Sequence, residues 1–237
     1  MKIAGLQKVT LLDYPGKVAS TIFLAGCNMK CLFCQNVDLV YNSDKINWIE
    51  LDEIIDFFKN RVGKIEGVCI TGGEPLLNND ISELLHPLKE LKFNIKIDTN
   101  GTNPSLLKKI IDENLVDMVA MDIKSSKKKY LKIIGLENEK LDVENFFINI
   151  NESINILKTS NIDYEFRTTC VKGLHTIEDM EDIGLMIKGA KKYFLQNYRS
   201  NEQISNLPYK SFEKTELESF INILKKYIDN VYLRGID

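Results

Sequence analysis

Short strand-like segments alternate with longer helix-like segments along most of this 237-residue chain. The strand-like segments are rich in β-branched and aromatic residues, and the helix-like segments carry apolar residues at helical spacing. Strands that are separated by helices run parallel, because the chain must cross back over the sheet before the next strand begins. The alternation therefore predicts an α/β fold with parallel strands and outer helices, as an open sheet or an incomplete barrel.

The predicted elements are connected by short segments, without a recognisable linker or repeat. The predicted strands are residues 18–24, 67–71, 93–98, 116–123, 164–171, 193–197 and 231–234. The predicted helices are residues 51–62, 81–91, 104–114, 127–133, 143–159, 177–188 and 212–227. We therefore expect a single domain over residues 1–237, with an N-terminal extension at 1–17, a core at 18–200, and a C-terminal helix and strand at 201–237.

The overall composition excludes some classes of partner. Hydrophobic residues make up 44% of the chain and charged residues 27%, and the net charge of −3 gives no basic footprint for a nucleic acid. No stretch is long and apolar enough to span a membrane, and the first residues lack the apolar core of a secretion signal. We therefore expect a cytoplasmic protein, in which five cysteines serve a metal or redox site rather than disulfides.

Polar or glycine-rich motifs follow the first strands of the predicted sheet. The segment GCNMKCLFCQN follows residues 18–24, and the motif TGGEP follows the next strand. The motif DTNG begins at Asp98, and Asp122 and Lys124 close the strand after it. In parallel α/β folds the reactive groups lie at the carboxyl ends of the strands, which meet at one edge of the sheet. These motifs are therefore predicted to form one active site.

Three of the five cysteines, Cys27, Cys31 and Cys34, are separated by three residues and then by two. A structural zinc site would need four ligands, and the only histidines, His86 and His175, are far along the chain. A redox pair at Cys31 and Cys34 would leave Cys27 unexplained. Iron–sulfur clusters normally use four thiolates, so three would leave one iron open to a small molecule. A four-iron cluster is favoured, with zinc and a redox dithiol as alternatives.

The cysteine spacing, with the aromatic Phe33 before the last cysteine, resembles the C-x3-C-x2-C signature of the radical S-adenosylmethionine (SAM) superfamily. The GGEP motif after the next strand is similar to a motif of the same superfamily. The resemblance implies a partial (β/α)6 barrel, with parallel strands inside and helices outside. It also implies a [4Fe–4S] cluster held by Cys27, Cys31 and Cys34, whose open iron binds SAM. One electron from the cluster would then cleave SAM to a 5′-deoxyadenosyl radical.

The same resemblance implies residues that contact SAM. Phe33 is expected to form an apolar wall near the adenine, with simple packing of the loop as the alternative. Gly72 and Gly73 are expected to let backbone carbonyls approach the SAM amino group. Glu74 is expected to orient this loop or to meet the amino group. The further candidates are Asp98, Thr99, Asn100, Asp122, Lys124 and Arg167.

Three of these expectations concern charged or titratable groups. Asp98 and Asp122, at the ends of adjacent strands, are expected to hold a monovalent cation together. Arg167 suits the SAM carboxylate, with a solvent-facing strand residue as the alternative. His175 is expected to belong to the start of a helix rather than to catalysis.

The run LQKVTLLDYPGKV at residues 6–18, together with DTNG and MDIK, is similar to activating proteins of anaerobic ribonucleoside-triphosphate reductases. This resemblance implies abstraction of a Cα hydrogen from a glycine of the reductase, which yields a stored glycyl radical, 5′-deoxyadenosine and methionine. It implies a glycyl-radical enzyme and a flavodoxin- or ferredoxin-type electron donor as partners. Asp13, Tyr14 and Gly16 are the substrate-side candidates.

Alternatives remain both within and outside this class. Pyruvate formate-lyase activating enzymes usually have DGPG-x-R where this chain has DYPGKV, and Gln35 stands where both groups more often have histidine. Activation of pyruvate formate-lyase is therefore the alternative within the class, and a noncatalytic zinc-binding module is the alternative outside it. Cys69 and Cys170 fall within predicted strands, where cysteine usually packs as a small apolar residue, so no second cluster is expected.

Overall fold

The computed structural model describes residues 1–41, 46–200 and 208–236. The chain divides into two compact units. The first unit comprises Met1–Asn28, Asn36–Ala120 and Ser160–Asp163, and the second comprises Met29–Gln35, Met121–Thr159 and Tyr164–Asp237. The division runs through the cysteine loop, so Cys27 belongs to the first unit and the other two loop cysteines belong to the second.

Strands and helices follow one another along the chain. The strands are β1 (Ile3–Thr10), β2 (Ala19–Leu24), β3 (Gly67–Gly72), β4 (Asn94–Thr99), β5 (Met118–Asp122), β6 (Asp163–Cys170), β7 (Tyr193–Asn197) and β8 (Val231–Arg234). The helices are α1 (Val37–Tyr41), α2 (Leu51–Lys59), α3 (Ser82–Glu90), α4 (Pro104–Asp112), α5 (Tyr130–Ile133), α6 (Val143–Thr159), α7 (Ile177–Met186) and α8 (Lys214–Leu224). A short 3₁₀ turn, Pro75–Leu77, follows β3.

In the first unit, β2, β3 and β4 are parallel neighbours, and β1 pairs with β2 in the antiparallel direction. Successive residues of a strand point to opposite faces of the sheet. One row across the three parallel strands is apolar and fully buried, and consists of Ile22, Ile70 and Ile97. The row one residue earlier contains Thr21, Cys69 and Lys96, and points to the opposite face. This sheet therefore has one apolar face and one face that carries polar groups.

Helices α2, α3 and α4 of the first unit each bury apolar residues on one side. Ile54 and Phe58 are buried in α2 at a spacing of four residues, which places them on the same side of the helix. In α4, Pro104 occupies the first turn, where its missing N–H costs nothing. The side chain of Asn103 accepts the N–H of Leu106 at 3.1 Å and caps this helix. Local capping and apolar spacing therefore explain where these helices begin and which side they bury.

In the second unit, β6, β7 and β8 are parallel neighbours, with Tyr193 of β7 paired to Phe166 and to Val231. Helix α7 begins with a capping box, in which Thr176 and Asp179 satisfy each other's backbone N–H groups. Several buried residues of this unit, including Phe166, Tyr193 and Leu195, lie on these parallel strands.

The parallel strands with intervening helices confirm the predicted α/β class. The sequence does not predict β1, because its residues show no regular alternation and the strand forms by antiparallel pairing with β2. It does not predict α1 either. Helix α2 ends at Lys59 rather than at residue 62, and residues 60–64 form a turn in which Gly63 has a φ of 75°. Helix α5 begins at Tyr130 rather than at residue 127.

The division of the chain into residues 1–17, 18–200 and 201–237 stays a prediction, and residues 201–207 and 237 lie outside the described residues. Among the helices that the structure describes, none is both long enough and apolar enough to cross a membrane.

Candidate active site

Gly72 and Gly73 join the end of β3 to the start of the cysteine loop. The N–H of Gly73 donates to the carbonyl of Leu24 at 2.8 Å, and the N–H of Glu74 donates to the carbonyl of Gly26 at 2.8 Å. A Cβ at Gly73 would lie 1.9 Å from the carbonyl oxygen of Gly26, and Gly72 has a φ of +118°. A side chain at either position would force the backbone to move. The absence of a side chain at these two positions therefore lets the turn after β3 pack directly against the backbone of residues 24–26.

Glu74 links the GGEP motif to the DTNG motif and is only 1% exposed. One of its carboxylate oxygens accepts the Thr99 hydroxyl at 2.7 Å and the N–H of Leu76 at 3.0 Å. The other oxygen accepts the N–H of Asn100 at 2.6 Å. Three donors compensate a buried carboxylate that would otherwise be costly. These contacts are those of a residue that orients the loop, and its contact with SAM stays a prediction.

Two asparagines that sequence reasoning did not single out tie the cysteine loop to these motifs. Asn28 accepts a hydrogen bond from the Asn100 side chain at 2.8 Å and donates to the Thr102 hydroxyl at 2.8 Å. Asn36 donates to the carbonyl of Gly72 at 2.7 Å. The signal that could have found them is their position within two residues of a loop cysteine.

Strand β4 contains a buried ion pair that sequence reasoning also missed. The side chain of Lys96 is 2% exposed and that of Asp98 is 16% exposed, and the Lys96 ammonium contacts the Asp98 carboxylate. The same ammonium lies 3.6 Å from Sγ of Cys69. The signal in the sequence is the spacing of two residues, which places Lys96 and Asp98 on the same face of a strand. Asp98, a predicted SAM-side residue, therefore already faces a positive charge of the chain.

Two substrate-side candidates, Asp13 and Tyr14, lie in the loop between β1 and β2. The carboxylate of Asp13 accepts the Thr21 hydroxyl at 2.5 Å, which directs it toward the polar face of the sheet. Tyr14 is buried with Ala19 and Met118, and this burial raises the pKa of its hydroxyl. Tyr14 therefore anchors the loop by packing, and a substrate contact of either residue stays a prediction.

The third substrate-side candidate, Gly16, has a φ of +74°, a conformation that glycine adopts without strain. Its loop precedes β2, whereas Cys27 follows β2, so the loop and the first cysteine lie at opposite ends of that strand. A substrate-side role of Gly16 likewise stays a prediction.

In the second unit, the cysteine loop is held by backbone hydrogen bonds to the end of α5. The N–H of Lys30 donates to the carbonyl of Ile134 at 2.8 Å, and the N–H of Leu32 donates to the carbonyl of Ile133 at 3.0 Å. A Cβ at Gly135 would lie 2.3 Å from the carbonyl oxygen of Lys30. The path of this part of the loop is therefore fixed by the chain's own backbone.

Cys31 and Cys34 lie in one turn of this loop, where the N–H of Cys34 donates to the carbonyl of Cys31 at 3.1 Å. Burial raises the pKa of the Cys31 thiol, although Lys124 lowers it, and a charge on Cys34 adds to the rise. A bound metal ion would favour the thiolate form, which is the form that ligates metals.

The donor chemistry of the loop fits an iron–sulfur cluster. All five cysteines belong to the described residues and none forms a disulfide, and the three in the loop are partly exposed. Across the described ranges, no three His, Cys, Asp or Glu side chains are gathered as a metal site. Three thiols on a loop with a fixed backbone nevertheless supply the ligand type that such clusters require.

Asp122, Lys124 and Arg167 form a cluster of charges at the end of β5 and in β6. The Lys124 ammonium lies 2.8 Å from one oxygen of Asp122, and Nε of Arg167 donates to the other at 3.0 Å. Burial alone would raise the pKa of Asp122, but the charges of Arg167 and Lys124 outweigh it and lower the pKa to about 2. Arg167 is buried, which excludes the alternative of a solvent-facing strand residue. Two cationic groups, a guanidinium and an ammonium, therefore lie beside this one carboxylate, and both are groups that can bind an anionic ligand.

Phe33 and His175 are buried neighbours, and their ring centroids lie 6.2 Å apart in an edge-on arrangement. Nδ1 of His175 accepts the N–H of Val171 at 3.1 Å, and Nε2 lies 2.9 Å from the carbonyl oxygen of Lys124. Because Nδ1 accepts an N–H and Nε2 faces a carbonyl oxygen, the contacts fit the neutral ring with its proton on Nε2, and burial lowers the pKa of this ring. Both ring nitrogens bind backbone groups, which is a structural role just before α7.

Gln35 directly follows the last loop cysteine, Cys34. Its side-chain amide donates to the carbonyl of Arg199 at 2.9 Å, just after β7. The amide at this position therefore has a defined contact within the second unit.

The chain is similar to known proteins over most of its length. A family model described as "Radical SAM superfamily" matches residues 21–183. A protein of Methanocaldococcus jannaschii named "Putative glycyl-radical enzyme activating enzyme" is 34% identical over 241 residues, which cover 99% of this chain and 96% of that protein. A second M. jannaschii protein of the same description is 26% identical, covering 95% of this chain and 80% of that protein. A "GTP 3',8-cyclase" of Campylobacter lari is 25% identical over 83% of this chain and 62% of that protein.

Solved structures show the same fold at low sequence identity. SuiB of Streptococcus suis bound to S-adenosylmethionine has a TM-score of 0.66 and 15% identity, and the match covers 91% of this chain and 52% of that chain. Native anSMEcpe with bound AdoMet has a TM-score of 0.57 and 19% identity, over 86% of this chain and 58% of that chain. This chain therefore spans about half the length of these solved chains, and the likeness confirms the fold class.

Proposed function

Because this chain belongs to the radical SAM superfamily, we propose that it generates a glycyl radical on a partner enzyme, and that this partner is an anaerobic ribonucleoside-triphosphate reductase. The observation that carries the proposal is the 34% identity, over 99% of this chain, to a protein named as a glycyl-radical enzyme activating enzyme. The three-cysteine loop and the motifs that contact it support the same chemistry.

Cys27, Cys31 and Cys34 would hold a [4Fe–4S] cluster and leave one iron for SAM. When bound, this group supplies the electron that cleaves the S–C5′ bond of SAM, and the resulting 5′-deoxyadenosyl radical takes the Cα hydrogen of a glycine. The chain holds the loop through the backbone contacts of Gly72 and Gly73. These hydrogen bonds fix the path of the loop backbone, and such positioning of the reacting groups favours the reaction.

The two units offer different groups for SAM. In the first unit, Glu74, Thr99 and Asn100 brace the turn beside the cysteine loop through their mutual hydrogen bonds. In the second unit, Arg167 and Lys124 supply positive charge for the SAM carboxylate, and the buried Phe33 supplies an apolar wall for the adenine. All six assignments are part of the proposal.

The partner-side assignments rest on the loop between β1 and β2. Leu11 is 71% exposed and Leu12 is 85% exposed, so this loop presents apolar surface to solvent next to Asp13. We assign Asp13, Tyr14 and Gly16 to the side that meets the reductase. A one-electron donor of the flavodoxin or ferredoxin type would reduce the cluster.

Electron paramagnetic resonance tests the choice of partner. The anaerobically reconstituted protein is reduced with dithionite, given SAM, and mixed in turn with an anaerobic ribonucleotide reductase and with pyruvate formate-lyase. We expect a glycyl-radical doublet on the reductase, and none when Cys31→Ala replaces the native protein. A doublet on pyruvate formate-lyase alone would overturn the choice of partner.

Metal analysis tests the chemistry before any partner is added. We expect a brown protein that contains iron and sulfide and whose cluster spectrum changes when SAM is added. A colourless protein with zinc in place of iron would establish the noncatalytic zinc-binding module instead.

A further inference from the structure

Lys96 places a positive charge beside a carboxylate for which the sequence suggests a metal cation. Within the segments ASTIFL, GVCITG and NIKIDT, which form β2, β3 and β4, Lys96 is the only lysine or arginine. Its side chain is buried and its ammonium contacts the carboxylate of Asp98. Burying an ammonium is costly unless an anion lies beside it, so each member of the pair depends on the other.

The register of the three parallel strands fixes the neighbours of this pair. Lys96 is paired with Cys69 on β3, and Cys69 is paired with Thr21 on β2, so all three point to the polar face. The Lys96 ammonium lies 3.6 Å from the Cys69 sulfur, and the Thr21 hydroxyl donates to Asp13 at 2.5 Å. The position of the Lys96 ammonium is therefore defined by its neighbours in this row, whereas the ammonium of an exposed lysine extends into solvent.

We propose that the ammonium of Lys96 is the cation of Asp98, and that the protein binds SAM without a sodium or potassium ion at that carboxylate. The inference rests on the proposed function only in taking SAM as the ligand. A metal ion on Asp98 would have to lie close to the buried ammonium, where like charges repel strongly because little water screens them. Without Lys96, the partly buried carboxylate of Asp98 would instead be an oxygen ligand suited to a hard cation.

The first test compares SAM binding by the reconstituted native protein in three chloride salts at equal ionic strength: potassium, sodium and tetramethylammonium. Tetramethylammonium is too large to occupy a site beside a buried carboxylate. Because the required cation is part of the chain, we expect the Kd for SAM to agree within about twofold in the three salts. A native Kd that rises about tenfold or more in tetramethylammonium overturns the proposal.

The second test creates the cation requirement. Lys96→Met keeps an unbranched side chain up to the ε position and removes the ammonium group, so its Kd for SAM should rise about tenfold or more in tetramethylammonium and recover in potassium or sodium. Lys108→Met is the matched control, because Lys108 forms an exposed helical ion pair with Asp112 at 2.6 Å. The control should resemble the native protein in every salt.

Urea unfolding supplies a readout that needs neither SAM nor a partner enzyme. The midpoint of Lys96→Met should be higher in potassium or sodium than in tetramethylammonium, relative to the native protein and to Lys108→Met. A Lys96→Met protein whose midpoint and SAM affinity do not respond to the salt contradicts the proposal. If Lys96→Met does not fold, the Kd of the native protein for SAM in the three salts still decides between the two outcomes. The binding and unfolding results do not depend on whether the protein forms a glycyl radical on a partner.

Discussion

The five cysteines differ in the solvent exposure of their side chains. Cys27, Cys31 and Cys34 are partly exposed in a loop, whereas Cys69 and Cys170 are buried in strands. Each single change of a loop cysteine to alanine should remove a cluster ligand and lower both iron content and SAM cleavage by at least roughly 100-fold. Iron and sulfide analysis, with 5′-deoxyadenosine measured by chromatography, checks this expectation.

Cys170→Ala is the control, because it removes a buried sulfur that is not assigned to the cluster. It should keep the cluster and lower the free energy of unfolding by about 1–2 kcal/mol through the cavity that it leaves. Loss of the cluster in this variant, to the same extent as in Cys31→Ala, would refute the three-ligand assignment.

Glu74 gives a second test at the scale of a residue. In Glu74→Gln one oxygen becomes an NH₂ group that faces a donor, such as the N–H of Asn100 at 2.6 Å. The free energy of unfolding in urea should fall by about 1–3 kcal/mol, because a buried donor loses its acceptor. Asp112→Asn makes the same chemical change in an exposed ion pair, and should cost within about 0.5 kcal/mol. Equal costs for the two variants would contradict the proposed role of Glu74.

Sequence reasoning finds some of these residues and misses others for a physical reason. The spacing of the loop cysteines and the GGEP motif are local patterns, so they can be recognised without a fold. The contacts of Lys96 and Asn28 depend on which residues of other strands and turns lie opposite them, and the sequence does not contain that information. Arg167 could be named as a candidate, but only the structure shows that it is buried against Asp122.

The junction between β3 and the cysteine loop can be tested as a structural element. Gly73→Ala would place a Cβ 1.9 Å from the carbonyl oxygen of Gly26, so the turn and the loop must separate. We expect a loss of at least about 2 kcal/mol in unfolding free energy and a lower yield of reconstituted cluster. Gly5→Ala is the control, since its Cβ would lie 3.7 Å from Phe23, an ordinary contact. A Gly73→Ala protein that matches Gly5→Ala in both measurements would contradict this reading.

The charge cluster at β5 and β6 predicts a pH dependence of stability. The folded-state pKa of Asp122, about 2, lies below the ordinary value near ~3.9, so its carboxylate stabilises the fold fully above about pH 4. This contribution is lost as the pH falls toward 2. The destabilisation caused by Asp122→Asn, measured by urea unfolding, should therefore be largest above pH 4 and should shrink toward pH 2. A penalty that stays constant over this range would contradict the assigned ion pairs.

The elements themselves are predicted unevenly. Residues 143–159, 193–197 and 231–234 coincide with α6, β7 and β8, because apolar spacing or β-rich composition marks both of their ends. Strand β1 is missed because it depends on pairing with β2, which a local pattern does not show. Helix α5 starts later than expected because residues 127–129 form a turn, in which the N–H of Lys129 donates to the carbonyl of Ser126 at 3.1 Å.

For the whole molecule, family membership and fold agree with the chemistry of the described residues. The first unit contains Cys27 and the GGEP and DTNG motifs, and the second unit contains Cys31, Cys34 and the charge cluster of Asp122. The motifs of the cysteine loop and of GGEP identify the superfamily from the sequence alone. The proposed function requires that this protein remove a hydrogen atom from a glycine of its partner enzyme.

Isotope transfer tests that claim most directly. The anaerobic reductase is produced with α-deuterated glycine and incubated with the reduced, reconstituted protein and unlabelled SAM, and 5′-deoxyadenosine is then analysed by mass spectrometry. We predict one deuterium atom in the 5′-deoxyadenosine, together with a glycyl radical on the reductase. 5′-Deoxyadenosine that forms without deuterium, from a fully labelled reductase, would contradict hydrogen abstraction from glycine by this protein.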